Sequence, residues 1–111
     1  MKLEQIISKL NLQKVSFFAD DSKEVAGAYT SDLLSDVIAN SKKDYICITL
    51  QTHVNITAVA SLKELAAIIV VMNKEIDSDT MEKANIEKIN ILKTAMNAFE
   101  VSGKLYEMGI R

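Results

Sequence analysis

The apolar residues near the start of the chain recur at helical spacing. Leu3, Ile6, Ile7 and Leu10 fall at positions i, i+3, i+4 and i+7 with polar residues around them, which predicts an amphipathic helix. From Ser31 onward, short apolar runs alternate with segments of helical spacing. Strands are predicted at residues 14–18, 24–29, 44–50, 66–72 and 90–93, and further helices at 33–41, 56–65, 79–88 and 96–108.

One apolar run decides the predicted architecture. The segment from Leu65 to Met72 contains no polar residue, and such continuous runs are typical of central strands that are covered on both faces. The run is too short to cross a bilayer. Because helices and strands alternate, we expect an α/β fold in one domain over residues 1–111. The expected form is a three-layer α/β/α sandwich with a mostly parallel sheet.

Polar residues and glycines mark the predicted ends of these elements. The segment 30–32 supplies N-cap candidates for the helix that follows it. Asp79 and Glu82 have the spacing of a capping box, with Asp in the place of Ser or Thr. Gly27 inside a strand predicts a bulge or a close backbone approach, and Gly109 is expected at the C-cap of the last helix.

Composition narrows the classes of function. A length of 111 residues suits one domain, and a net charge of −2 disfavours general electrostatic capture of nucleic acid. The single cysteine, Cys47, excludes an internal disulfide and fits a reducing compartment. We expect it to pack as a small apolar residue in its strand. The first residues lack the features of a signal peptide. We therefore expect a cytoplasmic protein with no membrane and no nucleic-acid partner.

Several chemical motifs are missing from the sequence. With three glycines in all, the chain has neither a phosphate-binding P-loop nor a GxGxxG dinucleotide motif. Cys47 and His53 lie six positions apart, and no second pair of residues has zinc-ligand spacing. We therefore expect no metal, no cofactor and no catalytic site.

The segment 51–55 (QTHVN) is the main candidate for a binding site. Ligands of open parallel sheets bind at the edge where strands lead into helices, and this segment is expected there, before a helix whose first amides could hold a phosphate or carboxylate. His53, the only histidine, could add a charge that switches near neutral pH. Asn73, Lys74 and Thr94 are polar residues of the same predicted edge. The candidate ligand-binding residues are Thr30, Ser31, Asp32, Gln51, Thr52, His53 and Asn55.

Plainer interpretations of the same residues remain open. Strand-to-helix turns are polar in any protein, and Asn55 would then only cap its helix. His53 would be an exposed loop residue. Asp32 and Asp36, one helical turn apart, would either form a carboxylate pair or stay solvated. The core or an interface between subunits is expected to contain Tyr29, Met96, Phe99, Tyr106, Met108 and Ile110.

Three blocks of the sequence resemble a known family. GAYTSDLLSDVIA (27–39), ITLQTHVNITAVASLKELAAIIV (48–70) and FEVSGKLYEMGI (99–110) are similar to the small stand-alone DRTGG-domain proteins. These resemble the N-terminal domain of HPr kinase/phosphorylase and often carry a serine kinase-like label. The resemblance implies a compact sandwich like the N-terminal domain of MurF. The motif that gives the family its name, Asp-Arg-Thr-Gly-Gly, is absent from this sequence. Segment 51–55 stands in its place. There, His53 and Asn55 match a His-x-Asn pattern of the small members of the family.

The resemblance implies a regulatory or assembly module. In HPr kinase the chemistry belongs to a P-loop domain that has no counterpart in this sequence, so a kinase activity is not expected. One function is a homodimeric sensor that binds a nucleotide or phosphorylated metabolite at segment 51–55. The alternative is an interaction module with no small-molecule ligand, which contacts a regulatory protein partner. An enzymatic function is the least supported interpretation, since no nucleophile–base pair is visible in the sequence.

Overall fold

The chain folds around one five-stranded sheet. The computed structural model describes residues 1–16 and 21–111. The strands lie in the order β1-β5-β4-β3-β2. In chain order the elements are α1 (Leu3–Leu10), β1 (Gln13–Lys14), β2 (Gly27–Thr30), α2 (Leu34–Asn40), β3 (Tyr45–Thr49), α3 (Asn55–Lys63), β4 (Ala67–Val70), α4 (Ser78–Glu87), β5 (Ile91–Lys93) and α5 (Ala98–Glu107).

The sheet is mostly parallel, as the alternation of elements predicts. Strands β2, β3, β4 and β5 run parallel, and β1 joins β5 antiparallel, with Gln13 opposite Lys93. Each parallel strand is followed by a helix. The carboxyl ends of four strands and the amino ends of four helices therefore meet at one edge of the sheet.

Two apolar cores separate three layers. One core packs Leu3 and Ile6 of α1 and Leu105 of α5 against the sheet. The other packs Val37 of α2, Ile56 of α3 and further residues of α4 against the opposite face. Strand β4 is buried along its whole length, because both faces are covered. The predicted three-layer α/β/α sandwich is thus confirmed, and no helix within residues 1–16 and 21–111 is long and apolar enough to span a membrane.

The predicted helix caps are mostly wrong. Helix α2 has Leu33 at its N-cap without a side-chain cap, because the carboxylate of Asp32 bonds to the β3–α3 loop instead. Helix α4 begins at Ser78 after Asp77, so Asp79 lies inside the helix and no capping box forms there. Helix α5 begins at Ala98, two residues later than predicted, because Asn97 and Glu100 make a capping box.

The prediction for Gly27 agrees with the structure, the C-cap of α5 is Met108 instead of Gly109, and the first strands differ from prediction. A Cβ at Gly27 would lie 2.7 Å from the ring of Tyr45, so this is a site of close approach. Gly109 follows α5 in the left-handed region, with φ 91°. Strand β2 covers only residues 27–30, and β1 only 13–14. The rest of the strand predicted at 14–18 lies partly outside the described residues.

Candidate functional site

The loop after β3 is fixed to the end of β2 by Asp32. One carboxylate oxygen of Asp32 accepts hydrogen bonds from the backbone N–H of Leu50 (2.7 Å) and from the hydroxyl of Thr49 (3.1 Å). In return, the side-chain amide of Gln51 donates to the backbone carbonyl of Asp32 at 2.8 Å. The N–H of Gln51 also donates to the Thr49 hydroxyl at 3.1 Å. Asp32 and Gln51 therefore set the position of the loop.

The next part of the loop is fixed to α4. The carbonyl of Thr52 accepts a 2.7 Å hydrogen bond from the hydroxyl of Thr80 and a longer one, 3.4 Å, from the N–H of Asp77. Thr80 is fully buried, so its hydroxyl has few alternative partners. Segment 51–55 is thus anchored at one end to Asp32, just before α2, and at the other end to α4. This limits its conformations before any ligand arrives.

His53 is paired with a carboxylate of the β4–α4 loop. Its Nδ1 lies 2.9 Å from Oδ2 of Asp77, although both side chains are well exposed, at 74% and 41%. The pair is an ion pair when the imidazole is protonated. The other ring nitrogen, Nε2, has no hydrogen-bond partner among residues 1–16 and 21–111 and can serve a ligand.

Asn55 does not cap α3. It is the first residue of the helix and is exposed, while Val54 occupies the N-cap position and makes no side-chain cap. The N–H groups of Ile56 and Thr57 bond back to the carbonyls of His53 and Val54. Two of the first amides of α3 are therefore already occupied and not free for an anion as predicted, and what the start of the helix offers is the exposed side chain of Asn55 and the partial positive charge of the helix terminus.

The two carboxylates one helical turn apart do not form a pair. Asp32 bonds to the β3–α3 loop, whereas Asp36 accepts hydrogen bonds from the Tyr29 hydroxyl and the Asn40 amide, each at 2.8 Å. Hydrogen bonds from Ser31 first, and then from Tyr29, lower the pKa of Asp36. The Asp36 carboxylate raises the pKa of Tyr29 in turn. Tyr29 and Ser31 thus belong to a network beside the loop.

Thr30 points away from this group. Its hydroxyl lies 2.7 Å from that of Ser102 on α5, on the other side of the sheet from α2, α3 and α4. The structure therefore brings Asp32, Gln51, Thr52, His53 and Asn55 together, places Ser31 next to them and separates Thr30 from them.

Phe99 and Tyr106 lie on α5 with 87% and 60% of their surface exposed, so neither is a core residue.

Sequence reasoning missed the residues that anchor the loop. Asp77 and Thr80 are 24 and 28 positions from their partners. Asp77 is the last residue of the β4–α4 connection, well past Asn73 and Lys74, the polar residues that directly follow the predicted strand. A signal existed, because Asp77 immediately precedes a helix at the same sheet edge, where carboxylates are common. Thr49 was hidden by its place at the end of an apolar strand.

The described residues show little sign of redox or metal chemistry. Cys47 is buried in β3, as predicted, and burial first, with the charge of Asp32 second, raises the pKa of its thiol to about 12. Within residues 1–16 and 21–111, no group of three or more His, Cys, Asp or Glu side chains could hold a metal ion. The arrangement at segment 51–55 is suited to binding through hydrogen bonds from the side chains of His53 and Asn55.

Comparison with known proteins gives a structural relative rather than a sequence family. No family model and no curated protein matches the chain. The fold matches a crystal structure of the CBS and DRTGG domains of the regulatory region of Clostridium perfringens pyrophosphatase, complexed with its activator diadenosine tetraphosphate. The TM-score is 0.71 and the identity 15%, over 92% of this chain and 44% of that chain.

The match establishes the fold. This chain spans less than half the length of the pyrophosphatase region, and its fold is one found in a regulatory region that includes a DRTGG domain. That agrees with the resemblance of the three sequence blocks to DRTGG-domain proteins.

Proposed function

We propose that this protein is a non-catalytic regulatory domain that senses a nucleotide or another small phosphorylated anion at segment 51–55. The observation that carries the proposal is the anchoring of this loop from two sides, by Asp32 and by Thr80, while His53 and Asn55 remain exposed. A loop held in one conformation loses less entropy when it binds. The solved relative, a regulatory region in complex with a dinucleotide activator, supports the class of ligand.

The ligand's phosphate lies, in this proposal, at the start of α3. Protonated His53 donates from Nε2, the Asn55 amide donates from its side chain, and the helix terminus adds its partial positive charge. Asp77 keeps the imidazole oriented through Nδ1. Asp32, Gln51 and Thr80 are positioning residues, since they hold the backbone rather than the ligand. No group in this arrangement is a nucleophile beside a base, so binding without turnover is the expected behaviour.

We also propose that the protein is cytoplasmic and related to the HPr kinase/phosphorylase N-terminal domain. A lone reduced cysteine fits the cytoplasm. A relationship to the N-terminal domain of HPr kinase/phosphorylase is supported by the sequence blocks 27–39, 48–70 and 99–110. The kinase activity itself is not part of the proposal, because the sequence has no P-loop.

Replacement of His53 by alanine is expected to weaken nucleotide binding by about tenfold, the usual cost of one charge-assisted hydrogen bond. A ligand at a hundred times its dissociation constant should stabilise the wild-type protein by about 2.7 kcal/mol. Thermal unfolding with diadenosine tetraphosphate, ATP, AMP and inorganic phosphate measures both. Ser61→Ala, an exposed change near the far end of α3, is the matched control and should leave the shifts unchanged.

The same experiment can contradict the proposal. If no nucleotide or phosphate stabilises the wild-type protein, the sensing function is wrong. If a ligand stabilises wild type and His53→Ala equally, the ligand binds elsewhere on the domain.

A second function, homodimerisation or contact with a regulatory partner through α5, is favoured by one observation. Phe99 is 87% exposed and Tyr106 is 60% exposed, and with Gly103 between them they fall on one stripe of α5. Burying such aromatic side chains is a common source of interface energy. This surface does not overlap segment 51–55, so both functions can operate in one molecule.

Phe99→Asp is expected to convert a dimer into a monomer at micromolar concentration, because it places a charge in an apolar contact. Light scattering measures the mass directly. Leu62→Asp is the matched control, since Leu62 is 68% exposed on α3, in the opposite layer, and this variant should keep the wild-type mass. A monomeric wild-type protein at the same concentration would rule out the dimer.

A further inference from the structure

A cavity lies at the same edge of the sheet as segment 51–55, but in the opposite helical layer. It has a volume of about 380 Å³ and is lined by Asn11, Gln13, Asn73, Lys93, Thr94 and Met96 among others. We call it the Lys93 cavity. Its size is within the usual range of small-ligand pockets, roughly 300–1,000 Å³. None of its described lining residues belongs to segment 51–55 or to the Asp32 network.

The fold brings three carboxamide side chains to this cavity from separate segments. Asn11 ends α1 in the left-handed region, and Gln13 begins β1 opposite Lys93. Asn73 is the second of two consecutive left-handed residues after β4, with φ 51°, following Met72 with φ 61°. Asparagine tolerates this conformation better than most residues. The N–H of Asn73 donates to the carbonyl of Thr94 at 2.8 Å, which holds the turn against β5.

Lys93 lines the cavity and carries a positive charge whose partner, Glu75, is not among the described lining residues. The side chain of Lys93 is only 13% exposed, and its ammonium lies 3.1 Å from a carboxylate oxygen of Glu75. The side chain of Glu75 is 94% exposed, so it can move into solvent at little cost. A lysine whose side chain is mostly buried and whose counter-ion is exposed is a ready partner for the oxyanion of a ligand.

The other residues that line the cavity indicate which further groups a ligand would need. Carboxamides donate and accept hydrogen bonds, and the Thr94 hydroxyl does the same. Among the described lining residues there is no aromatic side chain on which a nucleobase could stack. The chemistry therefore differs from that expected for a nucleotide site.

We propose that the Lys93 cavity binds a small polar metabolite with one carboxylate or phosphate group and further hydroxyl or amide groups. The oxyanion replaces Glu75 at the ammonium of Lys93, and the other polar groups bond to the carboxamides of Asn11, Gln13 and Asn73. This proposal does not depend on ligand binding at segment 51–55. Together with the nucleotide site proposed there, the Lys93 cavity would give the domain two separate ligand sites at one edge of the sheet.

The test is a titration of ¹⁵N-labelled protein followed by NMR, in which the side-chain amide signals of Asn11, Gln13 and Asn73 report the cavity directly. Glycerate and glycerol 3-phosphate distinguish carboxylate from phosphate, and uncharged glycerol is the control. The expected result is a saturable shift of these amides with one or both anions and none with glycerol. Shifts spread over exposed lysine neighbourhoods, or no saturation, would overturn the proposal.

Two variants of opposite sign sharpen the test. Lys93→Gln is expected to weaken binding by about tenfold through loss of the charged partner. Glu75→Gln is expected to tighten binding by about two- to fivefold, because it removes the competing carboxylate. If Lys93→Gln fails to fold, Glu75→Gln still decides the question, since unchanged or weaker binding contradicts the proposal. His53→Ala should leave these titrations unaltered, whether or not segment 51–55 binds a nucleotide.

Discussion

Cys47 in the folded protein should react with iodoacetamide at pH 8 at least about a thousandfold more slowly than the same thiol in the unfolded chain. The reactive species is the thiolate, and burial raises the pKa of this thiol from 9.0 to about 12. Three pH units correspond to a factor of about a thousand in the thiolate fraction. Cys47 also has no exposed surface, so the reagent must wait for an opening of the fold.

The same pKa difference predicts a loss of stability in base. The folded-state pKa is above the unfolded one, so between pH 9 and 12 the unfolded chain releases a proton that the folded chain keeps. The contribution of Cys47 is therefore complete below about pH 9 and declines as the pH rises through this window, by up to about 4 kcal/mol. Urea unfolding at pH 8, 9, 10 and 11 measures the decline, and Cys47→Ala should remove this share of it.

A matched control separates reactivity from access. The double variant Cys47→Ala with Ser61→Cys carries one thiol at an exposed position of α3 and should be labelled at nearly the unfolded rate. Labelling of wild-type Cys47 at that same rate in native buffer would contradict the burial of β3 between two helical layers.

Thr80→Val is expected to lower the free energy of unfolding by about 1–2 kcal/mol and to loosen segment 51–55. The two side chains have nearly the same shape, so the change removes the hydroxyl that donates to the Thr52 carbonyl at 2.7 Å. Thr80 is fully buried, and the Thr52 carbonyl would keep only the longer 3.4 Å bond from the N–H of Asp77, a loss that costs about this much. For a domain of this size the melting temperature should fall by roughly 4–6 °C per kcal/mol.

Hydrogen exchange shows whether the loop responds. In Thr80→Val the N–H of Gln51 should exchange faster, because the loop that it belongs to has lost its anchor to α4. Thr80→Ser keeps the hydroxyl and should keep the slow exchange, although loss of the methyl group will reduce stability somewhat. If Ser and Val give the same exchange rate at Gln51, the hydroxyl does not fix the loop.

Local sequence patterns were sufficient to predict the order of the elements and the layers. Residues 66–72 have no polar face, a pattern typical of a strand covered on both sides, and residues 44–50 are rich in β-branched side chains that favour a strand. The ends of helices were harder to predict, because a side chain that could cap has other partners in the fold. Asp32 is the clear example, since its carboxylate bonds to Leu50, which is 18 positions away.

The position of segment 51–55 in the fold could be predicted from the sequence, but the contacts that hold it could not. The polar break after residue 50 marks the carboxyl edge, and five of the seven proposed residues do meet there. Their support comes from Asp77 and Thr80 on α4, whose pairing depends on how β3 and β4 lie side by side. The exposure of Phe99 was also unpredictable, because the same spacing of apolar residues on α5 suits a core or an interface.

The antiparallel position of β1 has a consequence for the order of folding. Its residue Gln13 pairs with Lys93, and the hydroxyl of Ser16 bonds to Ile89 and Ile91 across 73 and 75 positions. The first strand of the chain therefore finds its partner only after the last strand has formed. Contacts of such separation close late and slow the overall rate. On a ribosome, the layer of α1 and α5 would be completed last, while the layer of α2, α3 and α4 could begin to assemble earlier.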